Sequence, residues 1–227
     1  MAAGKVCLVL GAGEKLGFAV ARKYAQSGFK VVVSRRSEFS AADLAKIGGA
    51  NVSSAQCDVT KEDDIKALVS KVEKEQGPIH TVIYNAGTGT WKTWDNVTME
   101  EFDRSFNTNT RGLLMLAKAV CPGMVERGEG VLGITGATAS LRGKPFTSAF
   151  AAAKGSQRML AQSLARDLGP KGIHVFLAII DGQIKENDET NKFLNPDEIA
   201  ESYYNIASQG KSAWTFEADL RPFQEQW

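Results

Sequence analysis

The 227-residue sequence is poor in the groups that ligate metals or cross-link chains. Its three cysteines, Cys7, Cys57 and Cys121, show neither metal-site spacing nor a disulfide framework, so reduced, buried thiols are expected. Its two histidines, His80 and His174, open apolar β-branched stretches, where packing is expected rather than chemistry. There is no charge excess: 27 Lys and Arg against 26 Asp and Glu leave +1. That balance gives no electrostatic case for nucleic acid or an anionic membrane as partner. Apolar runs are short, such as VCLVL at 6–10, far from the ~20 residues that span a bilayer. MAAGK at the start leads directly into a strand-like stretch with no signal-peptide layout, so a cytoplasmic protein with a small-molecule partner is expected. Linkers, internal repeats and low-complexity tracts are also missing.

What remains is a regular alternation. Apolar, β-branched runs at 6–10, 31–34, 52–57, 80–84, 131–135 and 173–180 read as strands. Several lack in-out alternation, as in strands covered on both faces. Between them lie helical patterns. SAAD at 40–43, TKED at 60–63 and TMEE at 98–101 read as N-terminal caps, and a long helix from 149 is expected to stop at Gly169 and Pro170. NPDEIAESYYNIA reads as the last helix. This pattern predicts a doubly wound, three-layer α/β Rossmann fold around a parallel sheet, with 1–227 as one domain.

LVLGAGEKLGFAVARKYAQSG is a strand, a glycine-rich turn and a helix. Gly11, Gly13 and Gly17, with Lys15 and Leu16 between, let a pyrophosphate approach a helix N-terminus. The second strand ends in Ser34, Arg35, Arg36 and Ser37 rather than an acidic residue. Guanidinium groups suit a 2′-phosphate, which predicts NADP(H) over NAD(H), with Arg36 the better direct contact.

These features, with Asp58 and Val59 in CDVT, Asn85, Ala86 and Gly87 in YNAG, Asn109 in TNTRG and Lys154 in FAAAK, resemble the short-chain dehydrogenase/reductase family over nearly the whole chain. The resemblance implies a seven-stranded, mainly parallel sheet, a nicotinamide cofactor and a homodimer or homotetramer formed through the fourth and fifth helices. It also implies that Lys154 holds the nicotinamide ribose, that Asn109 supports a water chain toward Lys154, and that Gly182 and Ile184 lie beside the cofactor.

The departures are as informative. Phe150 stands where the family carries its catalytic tyrosine, and Ala137 where it carries serine, with Thr138 adjacent. Asp181 stands near the usual Pro-Gly, as a replacement proton donor or a buried carboxylate satisfied by backbone amides. The stretch 183–194 is a short, polar stand-in for the substrate lid. Trp214, Phe216, Phe223 and Trp227 are available to cover a pocket or a subunit contact, or simply to pack. The expected function is an NADP(H)-dependent oxidoreductase moving hydride to or from a small carbonyl, alcohol or activated alkene, with Asn109, Lys154, Thr138, Phe150 and Asp181 as its active-site set. A non-redox isomerase or cyclase and a non-catalytic NADP-binding sensor or scaffold are the alternatives.

Overall fold

The structure, a computed structural model, describes residues 4–226. Seven strands form one sheet: β1 (Val6–Leu10), β2 (Lys30–Arg35), β3 (Val52–Gln56), β4 (Ile79–Tyr84), β5 (Gly130–Ala137), β6 (Ile173–Ile180) and β7 (Glu217–Leu220). Their order is β3-β2-β1-β4-β5-β6-β7, and every pairing is parallel. Leu10 lies beside Ser34 of β2 on one side and Tyr84 of β4 on the other, so the crevice opens at the carboxyl ends of β1 and β4, where strand order reverses.

Helices cover both faces. On one, α1 (Leu16–Gln26), α2 (Ala41–Ile47) and α7 (Pro196–Ala207) bury Phe18, Tyr24, Ile47 and Tyr203 against Val9, Val31 and Phe176. On the other, α3 (Glu62–Gln76), α5 (Gly112–Arg127) and α6 (Ser148–Leu168) bury Leu68, Leu116 and Ala161 against Leu8, Leu132 and Leu177. This is why β1 is buried at every position and carries no polar alternation.

Two of the three cap signals form full capping boxes: Ser40 with Asp43 opens α2, and Thr98 with Glu101 opens α4 (Met99–Phe106). The third does not. Thr60 is drawn back to Asp58, whose Oδ1 accepts from its amide at 3.0 Å and its hydroxyl at 2.7 Å, so α3 starts at Glu62 with no side-chain cap. Helix α6 ends at Leu168, with Gly169 and Pro170 following as expected. The chain then tightens into a 3-10 turn over Gly169–Lys171 and reverses at Gly172, φ +86°.

Strand β7 does not stand among the sequence-predicted strands. Glu217, Ala218, Asp219 and Leu220 form an edge strand, only partly buried, held by β6 on one side alone. The closing segment divides in two. Trp214 stacks on His174 at 4.8 Å and 2°, and Phe216 packs on the core, whereas Phe223 is exposed and Trp227 lies outside the described residues.

Candidate functional site

The glycine loop is fixed by close backbone approach. Gly11 has φ +78°, and a Cβ there would lie 2.4 Å from Ala86 Cα, so the loop after β1 sits directly on the loop after β4. Asn85 locks the contact, donating from Nδ2 to Gly11 O at 2.8 Å and accepting at Oδ1 from Thr135 at 2.9 Å. Gly13 is different: a Cβ there meets nothing within 4 Å, so it faces open space. Behind it, α1 begins at Leu16 with no side-chain cap, which leaves its first amides available to an anion. Lys15 does not reach into that space. Its Nζ donates to Ile184 O at 3.0 Å and ties the loop to the segment after β6.

From Gly13 the crevice runs in two directions. One arm, of about 750 Å³, is lined by Arg36, Asp58, Val59, Ala86 and Thr88. Here the sequence-predicted residues separate. Arg35 also lines this arm, but its guanidinium is engaged: its Nη2 donates to Asp43 at 2.7 Å and the group lies 4.2 Å over Phe39. Ser34 is 1 % exposed and contributes its carbonyl, which accepts from the amides of Gly11 and Ala12, rather than its hydroxyl. Arg36 is exposed beside Asp58, and its guanidinium has no hydrogen bond or ion pair among the described residues. Burial of the Asp58 carboxyl raises its pKa, but the hydrogen bonds from Thr60 and the nearby Arg36 and Lys61 charges outweigh this, so it stays ionised.

The other arm, of about 810 Å³, is lined by Ala137, Phe150, Lys154, Asp181, Gly182 and Ile184 among others. Asn109 sits in a π-helical turn, Asn107–Arg111, that swings its side chain under the loop after β4. Its Nδ2 donates to Thr88 O and Ser105 O, both at 2.8 Å, while its buried Oδ1 has no partner among the described residues. Lys154 is 5 % exposed. Its Nζ donates to Thr135 O at 2.9 Å and Gln157 Oε1 at 3.0 Å, and burial lowers its pKa from 10.5 to about 7. Both Asn109 Oδ1 and Lys154 Nζ lie close to Gly87.

A buried side chain joins Asn109 to Lys154. Gln157, fully buried, donates from Nε2 to Asn109 O at 2.8 Å and accepts from Lys154, so one side-chain amide spans the gap. Sequence reading missed Gln157. Its only signal was a polar residue one turn past Lys154 on the same helix. Missed as well was Thr135, whose carbonyl serves Lys154 and whose hydroxyl donates to Asn85 and accepts from Tyr203 at 3.0 Å.

Thr138 and Asp181 do meet, but with each other. The Thr138 hydroxyl donates to Asp181 Oδ1 at 2.5 Å. Arg221, just after β7, donates to Asp181 Oδ2, and Arg142 lies 3.4 Å from Oδ1. Burial would raise the Asp181 pKa, but Thr138, Arg221 and Arg142 reverse this and lower it below 3.8. A carboxylate so held is favoured in its charged form, which supports the reading of Asp181 as a buried, satisfied carboxylate, with side chains rather than backbone amides as the partners. Thr138 is engaged in the same cluster. The short, polar stretch 183–194 folds on itself: Leu194 N donates to Gln183 O, and Asp188 collects the Thr190 amide and hydroxyl and the amides of Lys192 and Phe193. Glu225 of the tail, which also went unforeseen, reaches the cleft beside Gly182.

A short-chain dehydrogenase family model matches residues 5–193. The chain is 35 % identical over 196 residues to versicolorin reductase of Emericella nidulans, covering 85 % of this chain and 72 % of that protein. It is 31 % identical over 172 residues to the 3-oxoacyl-[acyl-carrier-protein] reductase of Mus musculus, covering 75 % and 72 %. A crystal structure of a short-chain dehydrogenase from Rhodopseudomonas palustris superposes with a TM-score of 0.87 at 32 % identity, covering 97 % of this chain and 99 % of that one. The sheet order, the glycine loop seated on Ala86 and these likenesses lead to one assignment: the chain belongs to the short-chain dehydrogenase/reductase family of oxidoreductases.

Proposed function

We propose that the protein is an NADP(H)-dependent oxidoreductase, a single domain whose acceptors yield an anion stable enough to leave without a strong acid. The observation that carries this reading is a contrast within one crevice. The cofactor side keeps its equipment: open space over Gly13 before an uncapped helix, exposed Arg36, and Lys154 with Asn109 beside Gly87. The substrate side presents carbon, Phe150 and Ala137, where a hydroxyl pair is expected.

In this reading the amides of α1 hold the pyrophosphate, Arg36 the 2′-phosphate, Asp58 and Val59 the adenine side, and Lys154 the nicotinamide ribose. The cofactor supplies a hydride, two electrons with one hydrogen, and the acceptor's remaining proton comes from water. Lys154 keeps one N–H beyond its two fixed bonds, and Thr135 and Gln157 fix where it points. The aligned fragment of a solvated crevice does the rest by placement.

Chemistry then restricts the acceptor. A simple ketone gives an alkoxide, a base comparable to hydroxide, whose conjugate acid, water, has a pKa of about 15.7. A conjugated acceptor gives an enolate or phenolate, and a phenol has a pKa of about 10. That gap of about 6 units, at about 1.4 kcal/mol each, relieves the acid of roughly 8 kcal/mol of proton affinity. Activated alkenes and conjugated diones therefore fit a site without a phenol. Related structures have been solved with both cofactor types: an alcohol dehydrogenase from Thermococcus sibiricus with 5-hydroxy-NADP and a 3-ketoacyl-(acyl-carrier-protein) reductase from Brucella melitensis with NADH. The test is calorimetry with NADPH and NADH. NADPH should bind at least about tenfold more tightly, as expected for one charge-assisted contact, and Arg36→Ala should erase most of the difference. Equal affinities in the unaltered protein refute the assignment.

A further inference from the structure

The geometry points to an aromatic docking shelf in the substrate arm, made by Trp91 on Phe150, that selects planar aromatic diones such as naphthoquinones. Trp91 and Phe150 have ring centroids 5.1 Å apart and are tilted by 31°. Trp91 is nevertheless 61 % exposed, so much of its indole surface is open while its neighbour ring is engaged. Phe146, 45 % exposed, lines the same cleft. Three aromatic rings in one cleft form a surface suited to another flat ring, by offset stacking.

The shelf is built in place. A Cβ on Gly89 would lie 2.6 Å from Trp91 and 2.9 Å from Phe150, so only glycine lets both rings settle there. Residue 92 is bridged to Thr147, the Lys92 carbonyl accepts from Ser148 at 3.2 Å, and its ammonium pairs with Glu101 at 2.8 Å. The backbone next to Trp91 is thus anchored to the start of α6, the helix that carries Phe150 and Lys154. The open indole face beside this anchored backbone needs little further ordering to take a ligand.

The chemistry of the proposed reaction, on which this inference rests, selects among flat molecules. An aromatic dione gains one hydride and one proton from water and becomes a hydroquinone, through a phenolate that needs no strong acid. Phe150 then has a purpose in place of the phenol: it is the inner ring of the shelf.

The test uses the full chain, with 1,4-naphthoquinone against cyclohexane-1,4-dione, which carries the same carbonyls on a non-aromatic ring. Calorimetry should show naphthoquinone binding at least about tenfold more tightly, in line with the usual worth of a base-sized ring stacked on an aromatic side chain. Trp91→Ala should abolish that preference and Trp91→Phe retain most of it, with NADPH affinity unchanged in both. Gly89→Ala, which drives a methyl under both rings, should weaken naphthoquinone alone. Equal binding of the two diones, or indifference to Trp91→Ala, overturns the shelf. If NADPH binds and both diones are reduced equally with or without Trp91, the oxidoreductase reading stands and the shelf falls. If naphthoquinone binds through Trp91 but NADPH does not bind, the shelf stands and the cofactor reading falls.

Discussion

Replacing Asp181 by asparagine should damage stability far more than turnover. The side chain is only 5 % exposed and accepts from Thr138, Arg221 and Arg142. Asparagine keeps the volume and the acceptor for Thr138 but removes the charge that two guanidinium groups face. Breaking a buried ion pair costs about 3–5 kcal/mol, and the retained Thr138 bond and the 35 % exposure of Arg142 argue for the lower end, about 3 kcal/mol. At about 2–4 °C per kcal/mol for a chain of this size, the melting temperature should fall by roughly 6–12 °C. The pH dependence has a fixed sign. The folded pKa is lowered from 3.8, so the stabilisation is complete above about pH 4 and is lost as pH falls through the folded value. Urea melts of the parent and Asp181→Asn should therefore differ fully at pH 7 and converge in acid. Turnover per folded molecule should change by less than about threefold, against the 10²–10⁴ a general acid is typically worth. A large turnover loss with an unchanged melting temperature refutes this reasoning and returns Asp181 to the chemistry.

Phe150→Tyr adds a hydroxyl near Lys154 and should raise NADPH-dependent reduction of simple diketones by about tenfold or more, with a further gain from Ala137→Ser, measured by steady-state NADPH oxidation. Its cost should be a looser fit for naphthoquinone. Gly13→Ala should leave the melting temperature within about 1 °C while weakening NADPH binding severely, because its Cβ enters open space; Gly11→Ala should cost several kcal/mol or prevent folding, because its Cβ enters Ala86. Lys154 is buried with a pKa near 7, so between that value and 10.5 the unfolded chain holds the extra proton and stability rises with pH. The stability of the parent relative to Lys154→Met should accordingly grow from pH 7 to 9, by at most about 1.4 kcal/mol per unit, in urea melts.

The parts of this fold that could be read from sequence are those where local pattern and global packing agree. Strands β1, β2, β4, β5 and β6 are largely apolar because helices cover them, and Ser40 and Thr98 cap helices with partners three residues away. Strand β7 escaped because Glu217, Ala218, Asp219 and Leu220 lie at an edge, where half-burial leaves no periodic signal. The cofactor side was legible where backbone geometry dictates glycine, as at Gly11. Arg35 and Arg36 look alike in sequence, and only the fold brings Asp43 to the first and leaves the second exposed beside Asp58. The long-range partners were out of reach for the same reason. Arg221 meets Asp181 forty residues away, and Gln157 meets the carbonyl of Asn109 forty-eight away. Neither pairing follows from spacing along one element.

The amide of Gln157 has a consequence for proton traffic. A hydrogen-bonded chain conducts protons by relay only where each link can take up one proton and release another at little cost, as water, hydroxyls and imidazole do. Gln157 receives at oxygen and donates at nitrogen, so a proton arriving from Lys154 has no route onward to Asn109 without an imidic acid tautomer. The link is mechanically continuous and electrically open, an insulator set where a conductor is expected. Along this link Gln157 transmits position rather than charge: a displacement of Lys154 is felt at the Asn109 carbonyl, but a proton on Lys154 is not passed to it.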